Sequence, residues 1–518
     1  MRLALAFFCA YCEASFYEAV ANKVSRFAGQ LVFVFLVVSA GMFNASTGLR
    51  SASTLSSCSG NSVLRHVIPS PAFLPSSFCM YFVMLGYTKW ITRKKFATIF
   101  MFAIGVIYGW PFCGVLGIPV AIDFFLKKKG GIVKLIRDGI VSVVVLVVSS
   151  SPSFLLSRAF PDNRLPSTSQ PLCITIDWYY YRRIMLVPLN ILMYNVFSSD
   201  KGPELYGVEP VSFYFVNGFL NFNVLFFLAL ASLPAVGVAT YFSPKILFVV
   251  GNKQSLRSFF FQLLPLYVWL AVFFSQPHKE ERFLYVVYPL ICYHAAICVM
   301  ALYSLAEGVL KRFFKLSPAS TSDLLTSAIY LLIGITTFLS FSRLAAIYVN
   351  YHGSLDVYSH LGREVLLPNV TEAGPVTVCV GKEWYRFPSH FFFPSSTVSL
   401  GFLKSDFAGQ LPQYYGSGDD ATYRIPPHMN DMNKEEMSRY VDFHHCDYIV
   451  DQTIPGQREP VYTEHGFEEI YCQPFLNPER SPSLTRAFYI PLVSPASNYF
   501  NNYCIMQKKL PSPVSTST

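Results

Sequence analysis

Five consecutive ionisable side chains, His278-Lys279-Glu280-Glu281-Arg282, stand between apolar runs at residues 258–275 and 283–305. Runs of about 18 or more apolar residues are long enough to cross a bilayer as a helix, so these charges sit at a membrane surface or in a cavity. The chemistry open to them is the binding of an anion. Lys279 and Arg282 can neutralise a phosphate, the arginine through a bidentate fork, while Glu280 and Glu281 orient the cations or accept hydrogen bonds from sugar hydroxyls. The competing reading is a salt-bridged turn that only joins two spans.

Two other segments carry the residue types a sugar site needs, aromatic faces for stacking and amides or carboxylates for hydroxyls. One is Ile176-Asp177-Trp178-Tyr179-Tyr180-Tyr181, followed by Pro188-Leu189-Asn190 and Tyr194-Asn195-Val196-Phe197. In it Asp177, Tyr179 and Tyr180 are sugar candidates. The other is Tyr206-Gly207-Val208-Glu209-Pro210, leading to Asn217, Asn221 and Asn223 at the mouth of a span. Each has a bland counterpart: an interfacial aromatic belt for the tyrosines, an exposed loop acid for Glu209, and helix capping for the asparagines.

These residues need elements to position them, and composition says what kind. With 53% hydrophobic and 14% charged residues the chain is too apolar for an ordinary soluble protein of its size. It reads as an all-α polytopic membrane protein. Spans are expected at residues 3–16, 28–42, 73–87, 96–108, 111–126, 139–148, 219–242, 258–275, 283–305 and 324–341. Several are short, so broken or re-entrant helices are expected, above all at Gly109-Trp110-Pro111, where proline removes a backbone donor. The net charge of +9 comes from short clusters beside spans and not from one basic face, which argues against nucleic acid. Those clusters are Lys23 with Arg26, Arg93-Lys94-Lys95, Lys127-Lys128-Lys129 with Lys134 and Arg137, Lys245 with Lys253 and Arg257, and Lys311-Arg312 with Lys315. Placing all of them in the cytosol puts residues 44–71, 151–218 and 276–282, with everything after Ser342, on the opposite side.

The division expected is a multi-span region with lumenal loops, residues 1–342, and a soluble lumenal domain of mixed α/β structure, residues 343–518. The second carries a glycosylation sequon at Asn369-Val370-Thr371, and Asn44-Ala45-Ser46 is another. It also holds Cys379, Cys446, Cys472 and Cys504, which an oxidising lumen would allow to pair in an order the sequence leaves open. The cysteines and histidines show no zinc-type spacing, so no metal site is expected.

The strings His278 to Phe283, Pro188-Leu189-Asn190, Leu205-Tyr206-Gly207 through Glu209-Pro210, and Asn217-Gly218-Phe219-Leu220-Asn221-Phe222-Asn223 resemble those of the dolichyl-phosphate-mannose-dependent mannosyltransferases of the endoplasmic reticulum, glycosyltransferase family 22. The likeness is to the members that transfer in α1,2 linkage during assembly of the N-glycan precursor. Tyr351-His352-Gly353, Cys379-Val380-Gly381-Lys382-Glu383-Trp384-Tyr385-Arg386-Phe387-Pro388, Met429-Asn430-Asp431 and Arg486-Ala487-Phe488-Tyr489 extend it into the tail. The resemblance implies a GT-C type fold in the endoplasmic reticulum membrane, a dolichyl phosphate mannose donor, a dolichyl diphosphate oligosaccharide acceptor, and no cofactor. By motif position, His278, Lys279 and Arg282 are its candidates for the donor phosphate.

The family keeps an acidic pair in its first lumenal loop, whereas this sequence opens inside a span; the catalytic carboxylate is therefore expected before Met1. Glu13 and Glu18, at the cytosolic end of the first span, are badly placed to substitute. Serine-rich residues 47–71 and 151–173 interrupt the family pattern, and Trp178 with Arg182-Arg183 replaces its small residues around the tyrosine run. A catalytically silent family member shares every one of these features. A transporter would instead place charges near mid-span and repeat internally, which this sequence does not.

Overall fold

A computed structural model describes residues 2–47, 74–126, 131–148, 172–197, 202–242, 256–369, 374–381, 389–405, 408–418, 420–453 and 462–509. They form two compact units. One is built from residues 2–47, 74–340 and 415–425, the other from 341–414 and 426–509.

The first unit is helical, in the order α1 (Arg2–Lys23), α2 (Arg26–Val38), α3 (Ala40–Thr47), α4 (Pro75–Ile91), α5 (Lys95–Ile104), α6 (Gly117–Phe125), α7 (Gly131–Val148), α8 (Leu172–Tyr181), α9 (Val187–Leu192), α10 (Ser212–Phe222), α11 (Val224–Phe242), α12 (Leu256–Ser275) and α13 (Tyr288–Phe313); α14 (Pro318–Tyr351) runs on into the second unit. Among the described residues five segments are long and apolar enough to cross a membrane: Ala4–Lys23, Val224–Phe242, Leu256–Ser275, Glu281–Phe313 and Pro318–Tyr351. The chain is a multi-pass membrane protein. Every residue of α13 from Tyr288 to Ala301 is buried, as expected of a helix apolar on all sides.

The first helix is longer than its apolar run suggests. It continues to Lys23, so Glu13 and Glu18 lie inside it, and Glu13 accepts a hydrogen bond from Cys9 Sγ at 3.5 Å. Cys9 and Cys12 form a Cys-x-x-Cys pair on its buried side. The interruption expected at Gly109-Trp110-Pro111 is present: a π turn, Gly105–Gly109, ends at extended Trp110, and a 3-10 helix, Pro111–Leu116, follows. The Trp110 N–H donates to Gly105 O at 2.9 Å and to Cys79 Sγ at 3.0 Å, so the break is not left unsatisfied. Inside α11, Pro234 cannot donate to Leu230 O, and the Tyr267 hydroxyl of α12 donates there instead at 3.0 Å, while accepting from Leu233 N–H at 3.0 Å. Fully buried Asp123 of α6 accepts from Trp90 Nε1 of α4 at 2.9 Å and Ser258 Oγ of α12 at 3.1 Å, tying three helices together.

The second unit is a five-stranded sheet of β1 (Val376–Val380), β2 (Val398–Phe402), β3 (Tyr448–Thr453), β4 (Phe467–Leu476) and β5 (Phe500–Lys508), in the order β2-β1-β3-β5-β4. β1 is parallel to β2 and β3, whereas β5 is antiparallel to β3 and β4. Alternation along the strands sends Val378, Val450 and Ile505 to a face shared with Val357 and Tyr358 of α15 (Gly353–His360). It sends Ile449 and Met506 to the other face, beside Phe467. The four tail cysteines pair as Cys379–Cys446 and Cys472–Cys504. Gly401 lies opposite Cys379 in register, and a Cβ there would approach its Sγ to 3.0 Å. Asn369 closes a single helical turn, Leu367–Asn369; the rest of its sequon, like residues 47–71 except Thr47, 151–171 and 382–388, lies outside the described residues.

The Cys472–Cys504 bridge closes a separation of 32 residues. Loop-closure entropy puts its contribution at about 4 kcal/mol, more than one fully buried aliphatic side chain supplies. Replacing both cysteines by serine is therefore expected to move proteolysis of the tail in intact vesicles to clearly lower urea. A midpoint equal to that of the unmodified protein would contradict this.

Candidate active site

The chain leaves α12 at Ser275, crosses residues 276–280 and enters a 3-10 turn, Glu281–Val287, before α13 starts at Tyr288 with Pro289 in its first turn. Proline there costs no hydrogen bond, because the first N–H groups of a helix have no partner within it. The backbone is extended at Glu280, between the end of α12 and the 3-10 turn.

Lys279 is only 5% exposed, and its ammonium donates to two backbone carbonyls, Glu209 O at 2.9 Å and Gln276 O. A buried cation needs such acceptors. The Glu209 N–H in turn donates to Pro277 O at 3.0 Å, so residues 207–210 and 276–280 are laced together from both sides. Buried His278 completes the lacing. Its Nδ1 lies 2.8 Å from Gly207 O and its Nε2 3.1 Å from Glu280 Oε1. Both neighbours only accept, so the ring makes both hydrogen bonds when it carries both protons. Gly207 presents that carbonyl from a φ of 107°, a conformation a side chain would disfavour.

Glu280 grips Arg282 bidentately, Nε at 2.6 Å and Nη2 at 2.7 Å. The arginine side chain is half exposed and the glutamate a third exposed, and ion pairs in that setting contribute about 0–1 kcal/mol. Its value lies in orientation: one guanidinium edge is held by Glu280 while the side chain stays half exposed. The guanidinium also lies 5.9 Å from the Phe283 ring, which packs at 5.1 Å on Trp110. Trp269 Nε1 donates to Phe283 O at 3.2 Å, anchoring the turn from α12.

Glu281 points to α10. Its Oε1 accepts from Asn221 Nδ2 at 3.0 Å, and the same amide lies 3.2 Å from the buried Tyr288 hydroxyl and 2.9 Å from Asn217 O. Asn217 donates to Phe213 O at 2.9 Å. Neither caps the helix. Asn223 does the breaking: at φ 44° it separates α10 from α11 and splits the span expected at 219–242, while its Oδ1 accepts from Val224 N–H. Its amide reaches Thr336 O and Ser340 Oγ of α14, both at 3.4 Å.

Of the residues singled out by sequence, His278, Lys279, Glu280, Glu281, Arg282, Asn217, Asn221 and the Glu209 backbone converge on this loop. The Glu209 side chain is exposed. Asp177, Tyr179 and Tyr180 stand on α8, whose contacts run to residues 422–423: Thr422 Oγ1 donates to Tyr180 O, and Arg182 lies 5.5 Å from the Tyr179 ring and 5.9 Å from that of Tyr423. Partial burial pushes the Asp177 carboxyl above its ordinary range. Next to this helix an open depression of about 240 Å³ is lined by Met185, Val187, Asn190, Ile191, Tyr194 and Asn195. Tyr288 and Trp269 escaped the sequence reading because their partners lie 67 and 14 residues away and only the fold brings them in. Among the described residues the cluster closest to a metal-binding set is Glu469, Cys472 and Cys504, and its two sulfurs are already bonded to each other.

Residues 1–394 match the Alg9-like mannosyltransferase family. Over 99% of its length the chain is 39% identical to the alpha-1,2-mannosyltransferase ALG9 of Mus musculus, covering 76% of that protein. Over 98% it is 38% identical to the ALG9 enzyme of Homo sapiens, covering 75%. The crystal structure of ArnT from Cupriavidus metallidurans in the apo state superposes with a TM-score of 0.39 at 10% identity, covering 88% of this chain and 78% of that one. The chain belongs to the Alg9-like mannosyltransferase family.

Proposed function

We propose that this protein is an inverting α1,2-mannosyltransferase of the endoplasmic reticulum membrane, which moves mannose from dolichyl phosphate mannose to the dolichyl diphosphate-linked oligosaccharide of N-glycan assembly. The observation that carries it is the oriented, half-exposed Arg282 guanidinium at the mouth of two apolar helices in a chain of a mannosyltransferase family. The charge loop and the tail then face the lumen.

In this reading an acceptor hydroxyl oxygen bonds to the anomeric carbon of mannose as the bond from that carbon to the phosphate oxygen breaks. The hydroxyl proton passes to a carboxylate base, and the dolichyl phosphate leaves with the bonding pair. Its growing charge is met by the free edge of Arg282, with His278 and buried Lys279 adding positive potential beneath. Glu281, steadied by Asn221 and Asn217, faces the donor sugar. Asp177, Tyr179, Tyr180 and the exposed Glu209 carboxylate are assigned to the acceptor glycan, whose apolar ring faces stack on tyrosine.

The direct test is mannose transfer in microsomes from cells that lack their own enzyme for this step and express this chain. Appearance of α1,2-linked mannose on the lipid-linked oligosaccharide is expected, and its absence despite normal membrane insertion would refute the assignment.

Arg282→Ala is expected to lower turnover roughly 10- to 100-fold, the worth of hydrogen bonds to a charged group. Arg282→Lys should recover only part, since an ammonium cannot hold Glu280 and a phosphate through one planar fork. Lys279→Ala should also lower turnover, and in addition leave the Gln276–Arg282 loop open to protease. Equal activity in all three would exclude a phosphate site here.

Asn221→Asp sets a second carboxylate about 3.0 Å from Glu281. Such a pair holds together only while it shares a proton. Activity of this variant should therefore recover as pH is lowered, whereas Asn221→Ala should show no such recovery; parallel pH profiles would remove the Asn221–Glu281 contact from the mechanism.

A further inference from the structure

Helix α14 has 34 residues and is about 50 Å long, whereas a bilayer's apolar layer takes about 30 Å. Its apolar run ends at Phe341, and on the way Tyr330, Leu331, Phe338 and Phe341 are each about two-thirds exposed, as lipid-facing side chains would be. From Ser342 the helix belongs to the second unit, and a segment of that unit runs down it. Asn350 Nδ2 donates to Arg486 O at 3.1 Å, Arg343 Nη1 to Ala487 O at 2.9 Å, and Ser342 Oγ to Tyr489 O at 2.9 Å; the Tyr489 N–H returns a bond to Ser342 O. As residue numbers rise from 486 to 489, positions on the helix fall from 350 to 342. The segment therefore meets the helix at Ser342, next to the end of the apolar run, when it reaches Tyr489.

Three residues beyond Tyr489 stands Leu492. It is 89% exposed, more than any other large apolar side chain among the described residues, and neighbouring Val493 is 49% exposed. Leu492 also holds a φ of 68°, a conformation in which glycine or asparagine would be far cheaper. The turn is not loose. Ser494 N–H donates to Ile490 O at 2.8 Å, Ile490 N–H to Ser494 Oγ at 2.9 Å, and Ser494 Oγ reaches the Phe488 and Thr485 carbonyls. A leucine this exposed, held by hydrogen bonds at a positive φ, carries two costs in water at one residue. Residues 484–500 contain no acidic side chain, so nothing in the segment repels a lipid headgroup layer.

We propose that Leu492 and Val493 insert into the bilayer surface beside the exit of α14, so that the tail is held to the membrane by a lipid contact as well as by the chain. Acyl chains cover the leucine, and the hydrogen-bonded turn holds it in place. This surface is separate from the charge loop and does not depend on the reaction assigned above.

The test uses the full chain in phosphatidylcholine nanodiscs, with Cys58 and Cys173 replaced by serine, since the free cysteines among the described residues are buried. An environment-sensitive fluorophore is attached at Leu492→Cys or, as a control on the same unit, at Met437→Cys, where the native side chain is 61% exposed. Nitroxide-labelled lipid is expected to quench the probe at 492 several-fold more than at 437, and aqueous iodide to do the reverse. Equal quenching at the two positions would overturn the proposal. So would a probe at 492 shielded from iodide but untouched by lipid nitroxide, which would mean a protein or glycan occupant. Leu492→Gly supplies a second measure: relief of the strained φ should leave stability in detergent unchanged or higher, while the tail becomes easier to proteolyse in nanodiscs. Unchanged proteolysis there would also count against the lipid contact.

Discussion

The buried Lys279 ammonium, donating to the carbonyls of Glu209 and Gln276, is the constraint on which the rest of the site depends. An ammonium out of water must find acceptors, and backbone carbonyls supply them without adding a second charge. By bonding to one carbonyl on each of two loops it fixes their separation. His278 then falls within reach of Gly207 O on one side and Glu280 on the other, and Glu280 can hold Arg282. The sequence of five charges is thus divided by depth. Lysine and histidine are spent on architecture, and the arginine that they position is the one left facing outward.

A second constraint shapes the scaffold. Within a membrane no water is available for backbone groups released by a broken helix, so each break must bring its own partner. Cys79 supplies one at Trp110, the Tyr267 hydroxyl supplies one at Pro234, and the side chain of Asn223 supplies one to Val224. Two of these breaks adjoin the charge loop. Trp110 packs against Phe283, and Asn223 ends the helix that carries Asn217 and Asn221. The irregular backbone therefore does not weaken the scaffold at random; it sets the angles at which Arg282 and Glu281 are presented.

What could be read from the sequence follows from how local the signal is. The charge loop, the proline break and the mixed tail rest on neighbours in the chain, and all three stand in the structure. The apolar run of α1 stops at Phe16, just short of Glu18, whereas the helix itself continues to Lys23. Asparagines at a helix mouth suggested caps, but Asn221 serves Glu281 sixty residues away, and only Asn223 affects the helix end. The cysteine pairing was open by sequence because it depends on strand register, here the opposition of Cys472 and Cys504 in β4 and β5.

The same contrast separates the two ways this chain meets the lipid. Along the spans, exposed apolar residues need no further explanation, because a membrane helix is apolar by requirement and its backbone is satisfied internally. Leu492 differs in degree, since it belongs to a sheet-bearing unit with its own core and is more exposed than any other large apolar side chain there among the described residues. There an exposed leucine costs solubility, and its positive φ costs backbone energy as well, so two unfavourable terms coincide at one residue. The hydrogen bonds from Ser342, Arg343 and Asn350 fix the segment's place on α14 next to the end of its apolar run; lipid there would remove the cost of exposure, and the backbone cost is what holding the side chain at that place requires.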